Sequence, residues 1–256
     1  SVSTTLQLLR IGINSSMQTF RYFIQEAGGA KAGKLEITKT DVKNARKYAE
    51  LEMQKNGREL DVEVPDFDKN YIFAQRLAKM GSTKRKDMPV INNRDVRLLQ
   101  KRLQAGAIDV SKPFAKNDVV DDPYPQGLSG DQAKQWVSGG LAKNDGDAKD
   151  DIVNVKVKSV AVGKLVPIQE QIYFDKSIRN VSEFGAKGTK DFAKSKNNFY
   201  IVSKDNRIID GHHRFLSAVL VDPRINVTCL EIDLPINELL PMTLAYSDAI
   251  GNVRNR

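Results

Sequence analysis

Apolar residues recur at three-to-four spacing in the first part of the chain and at two-residue spacing later, with the change near residue 150. "TTLQLLRIGINSSMQTFRYFIQEAGG" places Leu6, Leu9, Ile13, Met17, Phe20 and Phe23 on one helical stripe ending at Gly28-Gly29. "TDVKNARKYAELEMQKNG" predicts a second helix from a Thr40 N-cap through Val42, Ala45, Tyr48, Ala49 and Met53 to Gly57. "DKNYIFAQRLAKMG" gives a third, closing at Gly81, and "NRDVRLLQKRLQAG" a fourth, closing at Gly106. "STKRKDMP" reads as a basic loop between them. The fourth helix carries Arg94, Arg97, Lys101 and Arg102 around Val96, Leu98, Leu99 and Leu103. It is read first as an amphipathic helix with a solvated basic face, and otherwise as a helix laid along a phosphate backbone.

From residue 107 turn formers accumulate. Ser129 and Gln132 form a capping box that puts Trp136 on a short helix. Ser138 to Asp151 is a polar Gly/Asp linker; "NDGDAKDD" lacks the ligand alternation of an EF-hand loop. Beyond it "VNVKVKSVAV" alternates like a half-buried strand and "GKLVPIQEQ" turns at Pro167. "DKSIRNVSEFGA" fits an amphipathic helix, and "GTKDFAKSKNN" a basic loop or short helix. "FYIVSKDNRIID" is a hairpin, "HHRFLSAVL" a helix with Phe215, Ala218 and Val219 on one side, "INVTCLEIDL" a strand and "PINELLPMTLAYSDAI" a last helix. The fold class is therefore α/β (α+β). A mainly helical region of unassigned role, 1–137, leads through the linker, 138–151, to a small mixed-sheet domain, 152–256.

Composition narrows the class only a little. Across 256 residues, 40% are hydrophobic and no apolar run approaches a membrane span, so no membrane partner is expected. The single cysteine, Cys229, lies in an apolar alternation and reads as a small buried residue, in keeping with an intracellular, cytoplasmic protein. A formal charge of +8 fits polyanionic partners, nucleotide or nucleic acid, and equally a solvated basic surface.

The chemistry concentrates in "IIDGHHR", which holds both histidines of the chain. Asp210-Gly211 ends a strand and a helix follows, so free N–H groups and the helix dipole meet at a glycine that admits close approach of a ligand. Such a corner suits a phosphate: Gly211 with its backbone, His212, His213 and Arg214 as phosphate-binding residues, Arg214 gripping bidentately. His212 and His213 can exchange a proton near neutral pH, and Asp210 can orient a histidine or hold magnesium. Adjacent histidines with a single acid do not have the spacing of a zinc site.

"IIDGHHRFLSAVL", preceded by "VKSVAVGKLVPIQE" and the "FYIVSKDNR" hairpin, resembles the ParB/sulfiredoxin superfamily over about residues 152–240. The resemblance implies a strand running into a phosphate-binding helix start. Sulfiredoxins place their catalytic cysteine where this chain has His212, and chromosome-partition members, which use CTP, carry Glu-Arg-Arg after the glycine. The free-serine kinase branch carries Asp-Gly-His-His-Arg, as Asp210 to Arg214 do, and its catalytic glutamate has its counterpart in Glu170 after Pro167. In that branch, however, the domain opens the chain, whereas here it closes it. ParB-like nucleases of phages and plasmids have a similar corner.

The resemblance thus implies a phosphotransferase using ATP or ADP, with CTP as a further candidate and Glu170 as general base. His212, His213 and Asp210 would share the catalytic machinery. The alternatives are a nuclease or DNA-binding protein, with Lys187, Lys190, Lys194 and Lys196 as nucleic-acid contacts, and a structural or assembly protein, virion-associated for instance, carrying an inert ParB-like domain.

Overall fold

The computed structural model describes residues 37–108, 110, 149–170, 172–195 and 197–254. The expected helix over Leu6–Phe23, the Ser129 capping box and most of the linker lie outside these residues. The described chain is an α+β fold. Its helices are α1 (Lys39–Gln54), α2 (Phe67–Ala78), α3 (Asn93–Gln104), α4 (Phe174–Lys194), α5 (His212–Val221) and α6 (Ile236–Ala249). Its strands are β1 (Val155–Ala161), β2 (Val166–Pro167), β3 (Tyr200–Ser203), β4 (Arg207–Asp210) and β5 (Asn226–Ile232).

The sheet runs β1-β5-β3-β4-β2. β1 pairs antiparallel with β5, β5 parallel with β3, β3 antiparallel with β4, and β4 parallel with β2. Because side chains alternate along a strand, the sheet feeds two cores. Tyr200, Val202, Ile208, Val227 and Cys229 join a core shared with α1, α2, α4 and α5. Ile201, Ile209, Leu230 and Ile232 join a second with α3 and α6. Helices drawn from residues 39–104 thus cover both faces of a sheet drawn from residues 155–232.

Several local expectations shift. The N-cap of α1 is Thr38 rather than Thr40, because Asp41 completes a capping box with it: Asp41 N–H donates to Thr38 Oγ1 and Thr38 N–H to Asp41 Oδ2. The buried stripe of α1 is Ala45, Ala49 and Met53, while Tyr48 is exposed. Pro167 does not turn the chain but lies in the edge strand β2, where a missing N–H costs no ladder bond. Edge position also leaves Val157 of β1 exposed. The segment read as a helix and the one read as a basic loop or short helix join in α4, the second being helical to Lys194, with a break at Gly185 (φ 62°, ψ 176°), a conformation that glycine adopts without strain. Helix α5 is buried all round from Phe215 to Val221, since it lies among α2, α4 and the sheet. Cys229 is buried, as expected.

Candidate functional site

β4 ends at Asp210, and Gly211 (φ +107°, ψ 17°) turns the chain into α5. A Cβ here would lie 3.0 Å from Tyr200 Cδ1 and 3.1 Å from Arg214 Nη2, so both backbone and space require glycine. The corner residues Asp210, Gly211, His212, His213 and Arg214 line one cleft of about 240 Å³. Gln169 and, from the segment before α3, Arg85, Met88 and Pro89 complete it together with Ile209.

Arg214 is held on three sides. Its Nη2 donates to Asp210 Oδ2 at 2.6 Å, its Nη1 donates to Asn198 Oδ1, and its guanidinium lies 5.3 Å from the Tyr200 ring centroid. Those hydrogen bonds occupy two of the five N–H donors of a guanidinium. Burial raises the Asp210 carboxyl pKa, an effect that Arg214 and the Gly211 N–H oppose.

His212 is buried, and its Nε2 accepts from the backbone N–H groups of Ile168 (3.2 Å) and Gln169 (3.3 Å). Nε2 is therefore unprotonated and the ring neutral; burial, with His213 and Arg214 adding to it, pushes the pKa down to about 3. His213 accepts at Nε2 from Tyr173 N–H (3.4 Å) and stacks on the Tyr173 ring, with centroids 6.0 Å apart and planes 11° apart. Its pKa is pushed down to about 4, first by burial, then by Arg85 and Lys176. Both histidines are thus neutral at pH 7. The positive charge of the cleft comes from the arginines and the amino end of α5, and His212 acts as a tie between α5 and the chain beyond β2.

Arg85 is a cleft-lining residue that pattern reading missed. Its loop is fastened to the same segment that His212 holds. Ser82 and Thr83 N–H both donate to Ile168 O (2.9 Å each), Glu170 N–H donates to Thr83 O (2.8 Å), and Thr83 forms a parallel bridge with Gln169. Gly81 makes this approach feasible, because a Cβ there would lie 2.1 Å from Gln169 O. A 3₁₀ turn, Arg85–Asp87, then carries Arg85 to the cleft, its guanidinium 5.1 Å from the Tyr173 ring centroid. The signal available in sequence was the basic run "STKRKDMP", which has no spacing that singles out Arg85.

Glu170 does not line this cleft. It is exposed and lines a neighbouring cavity of about 280 Å³ with Glu52, Gln75, Lys79 and Tyr173. Gln169 borders the first cavity, Glu170 and Tyr173 the second. Lys187, Lys190 and Lys194 lie on the second half of α4, away from the cleft lining, and Lys196 falls outside the described residues. Among the described residues Asp210 is the one carboxylate lining the cleft and is paired with Arg214, and no group of three His, Cys, Asp or Glu could hold a metal. No helix among the described residues is long and apolar enough to cross a membrane. Comparisons with protein-family models, with curated proteins and with solved structures return no match to this chain.

Proposed function

We propose that the α5 corner binds the phosphates of a nucleotide, ATP or ADP in the first place, and that the protein is a phosphotransferase. The observation that carries this reading is the left-handed Gly211, which opens the amino end of α5 into a cleft also lined by two guanidinium groups, Arg85 and Arg214. Backbone N–H groups and a helix dipole attract an anion, and planar arginine donors match phosphate oxygens. At about 240 Å³ the cleft lies below the roughly 300–1,000 Å³ that encloses a whole small ligand. It takes phosphates and leaves the nucleoside at its mouth, beside the half-exposed Tyr173 ring.

In this scheme the acceptor sits at the mouth of the cleft on the side of Glu170, which takes its hydroxyl proton. The hydroxyl oxygen bonds to the terminal phosphorus, the bond from that phosphorus to the rest of the nucleotide breaks, and the proton passes from Glu170 to water. Arg85, Arg214 and the α5 N–H groups neutralise the charge spread over the phosphoryl oxygens. Calorimetry with ATP, ADP and CTP, and phosphorus NMR with a panel of hydroxylated acceptors, test the proposal. Glu170→Gln is expected to keep nucleotide binding while turnover falls about 100-fold or more. Arg214→Ala is expected to lose binding. No binding of any nucleotide by the unmodified protein overturns the proposal; binding without transfer to any acceptor overturns the transferase part alone.

A further inference from the structure

Helix α3 presents a charge stripe that the cleft does not use. At about 100° per residue, Val96, Leu99 and Leu103 fall together and are buried in the second core. Arg94, Arg97 and Lys101 fall within about 60° of one another on the opposite side, and all three are exposed. None of the three has an ion pair among the described residues. The other charges of the helix lie off this stripe and are engaged. Asp95 accepts from Asn252 Nδ2 at 3.3 Å, and Arg102 donates to the Tyr246 hydroxyl at 3.3 Å and lies over its ring. The charges of this face are therefore cations alone, beside the exposed Leu98, on a helix whose orientation is fixed by its buried face. It rises about 10 Å from Arg94 to Lys101, the axial length of about three nucleotides of one duplex strand. It also begins a few residues after Met88 and Pro89, which line the phosphate cleft.

We infer that the exposed face of α3 binds the sugar–phosphate backbone of nucleic acid. Charge complementarity selects this occupant. Two guanidinium groups and an ammonium in a row suit regularly spaced phosphates. A membrane surface would call for a wide free apolar face to insert, whereas α3 exposes Leu98 alone of its large apolar side chains and packs Val96, Leu99 and Leu103 in the core. This inference does not depend on the nucleotide reading of the α5 corner.

Fluorescence anisotropy with a labelled 20-mer duplex and its single strand, over a range of salt, tests it. The triple variant Arg94→Ala/Arg97→Ala/Lys101→Ala removes the stripe; Lys187→Ala/Lys190→Ala/Lys194→Ala removes the same charge from α4. Circular dichroism checks that both remain folded. The α3 triple is expected to bind duplex at least about tenfold more weakly and to lower the slope of log affinity against log salt by about 2 to 3, at about 0.9 per phosphate contact. The α4 triple is expected to change the slope by less than about 1. Three outcomes overturn the inference: no binding of either nucleic acid by the unmodified protein, equal losses in the two triples, or binding confined to vesicles of anionic phospholipid run in parallel.

Discussion

His212 Nε2 accepts a hydrogen bond from the Ile168 backbone N–H at 3.2 Å, joining the first turn of α5 to the chain leaving β2. The Ile168 carbonyl in turn accepts from Ser82 and Thr83. One peptide segment thus carries the tie between the corner and the Arg85 loop. Replacing His212 with Ala leaves the buried Ile168 and Gln169 N–H groups without partners. At about 1–3 kcal/mol for an unsatisfied buried group, a loss of about 2–4 kcal/mol is expected in urea denaturation. A loss below about 1 kcal/mol would show that the tie is dispensable.

The same tie sets a pH dependence. The folded-state pKa of His212, about 3, lies below the usual 6.5, so between these values the unfolded chain binds the extra proton. The contribution is full above about pH 6.5 and is lost as pH falls through the window toward 3. His213, held at about 4, adds in the same direction over 6.5 to 4, whereas the raised Asp210 pKa opposes both at the acidic end. Urea midpoints are expected to fall steadily from pH 7 to pH 4. In His212→Gln the decline should be visibly shallower; an unchanged decline would place its source elsewhere.

Gly211→Ala should act on stability and binding together. The left-handed backbone and the contacts at 3.0 and 3.1 Å displace either Tyr200 or Arg214, at a cost of about 1–3 kcal/mol. Calorimetric titration with ATP or pyrophosphate is expected to show affinity reduced about tenfold or more. Retained affinity would mean that the corner is not where phosphates bind.

Arg85 and Gly81 form a matched pair. Arg85→Ala should cost about 1 kcal/mol of stability through the lost contact with the Tyr173 ring and weaken phosphate binding. Gly81→Ala pushes the loop away from Gln169 and is expected to reduce both. Equal phosphate affinity in the Arg85 variant and the unmodified protein would remove Arg85 from the site.

The far end of α5 is held by Asn70 of α2. Its buried Nδ2 donates to Leu220 O at 3.1 Å and Val221 O at 3.2 Å, carbonyls that the helix itself leaves unpaired. Asn70→Ala is expected to cost about 2 kcal/mol by denaturant titration, since both acceptors stay buried. Asn70→Asp should cost at least as much, because a carboxylate cannot donate to a carbonyl.

Sequence exposed what depends on neighbours along the chain. The apolar run of Phe199 to Val202, the turn formers Lys204, Asp205 and Asn206 and the glycine before His212 placed the hairpin and the corner, because each is decided within a few residues. Gly185 was visible as well, yet the helix resumes beyond it, since Thr189 and Ala193 find a buried surface that spacing alone does not reveal. The site was legible on one wall only. Asp210 to Arg214 are consecutive, whereas Arg85 arrives through hydrogen bonds to Ile168, more than 80 residues later. The proton economy of the histidines was likewise hidden, because backbone donors from Ile168, Gln169 and Tyr173 claim their lone pairs. Glu170 follows Pro167 as expected from sequence, but the chain direction at Gln169 sends it to the neighbouring cavity.

The bridge between Thr83 and Gln169 has a kinetic consequence. It closes a loop of some 85 residues, a cost in chain entropy that the contacts between β4 and the start of α5 do not carry. The corner of β4 and α5 can assemble from local pieces early, while the Arg85 wall is added at the end. Phosphate affinity during refolding therefore should rise after helical circular dichroism has recovered, making the cleft a reporter of the last step of folding.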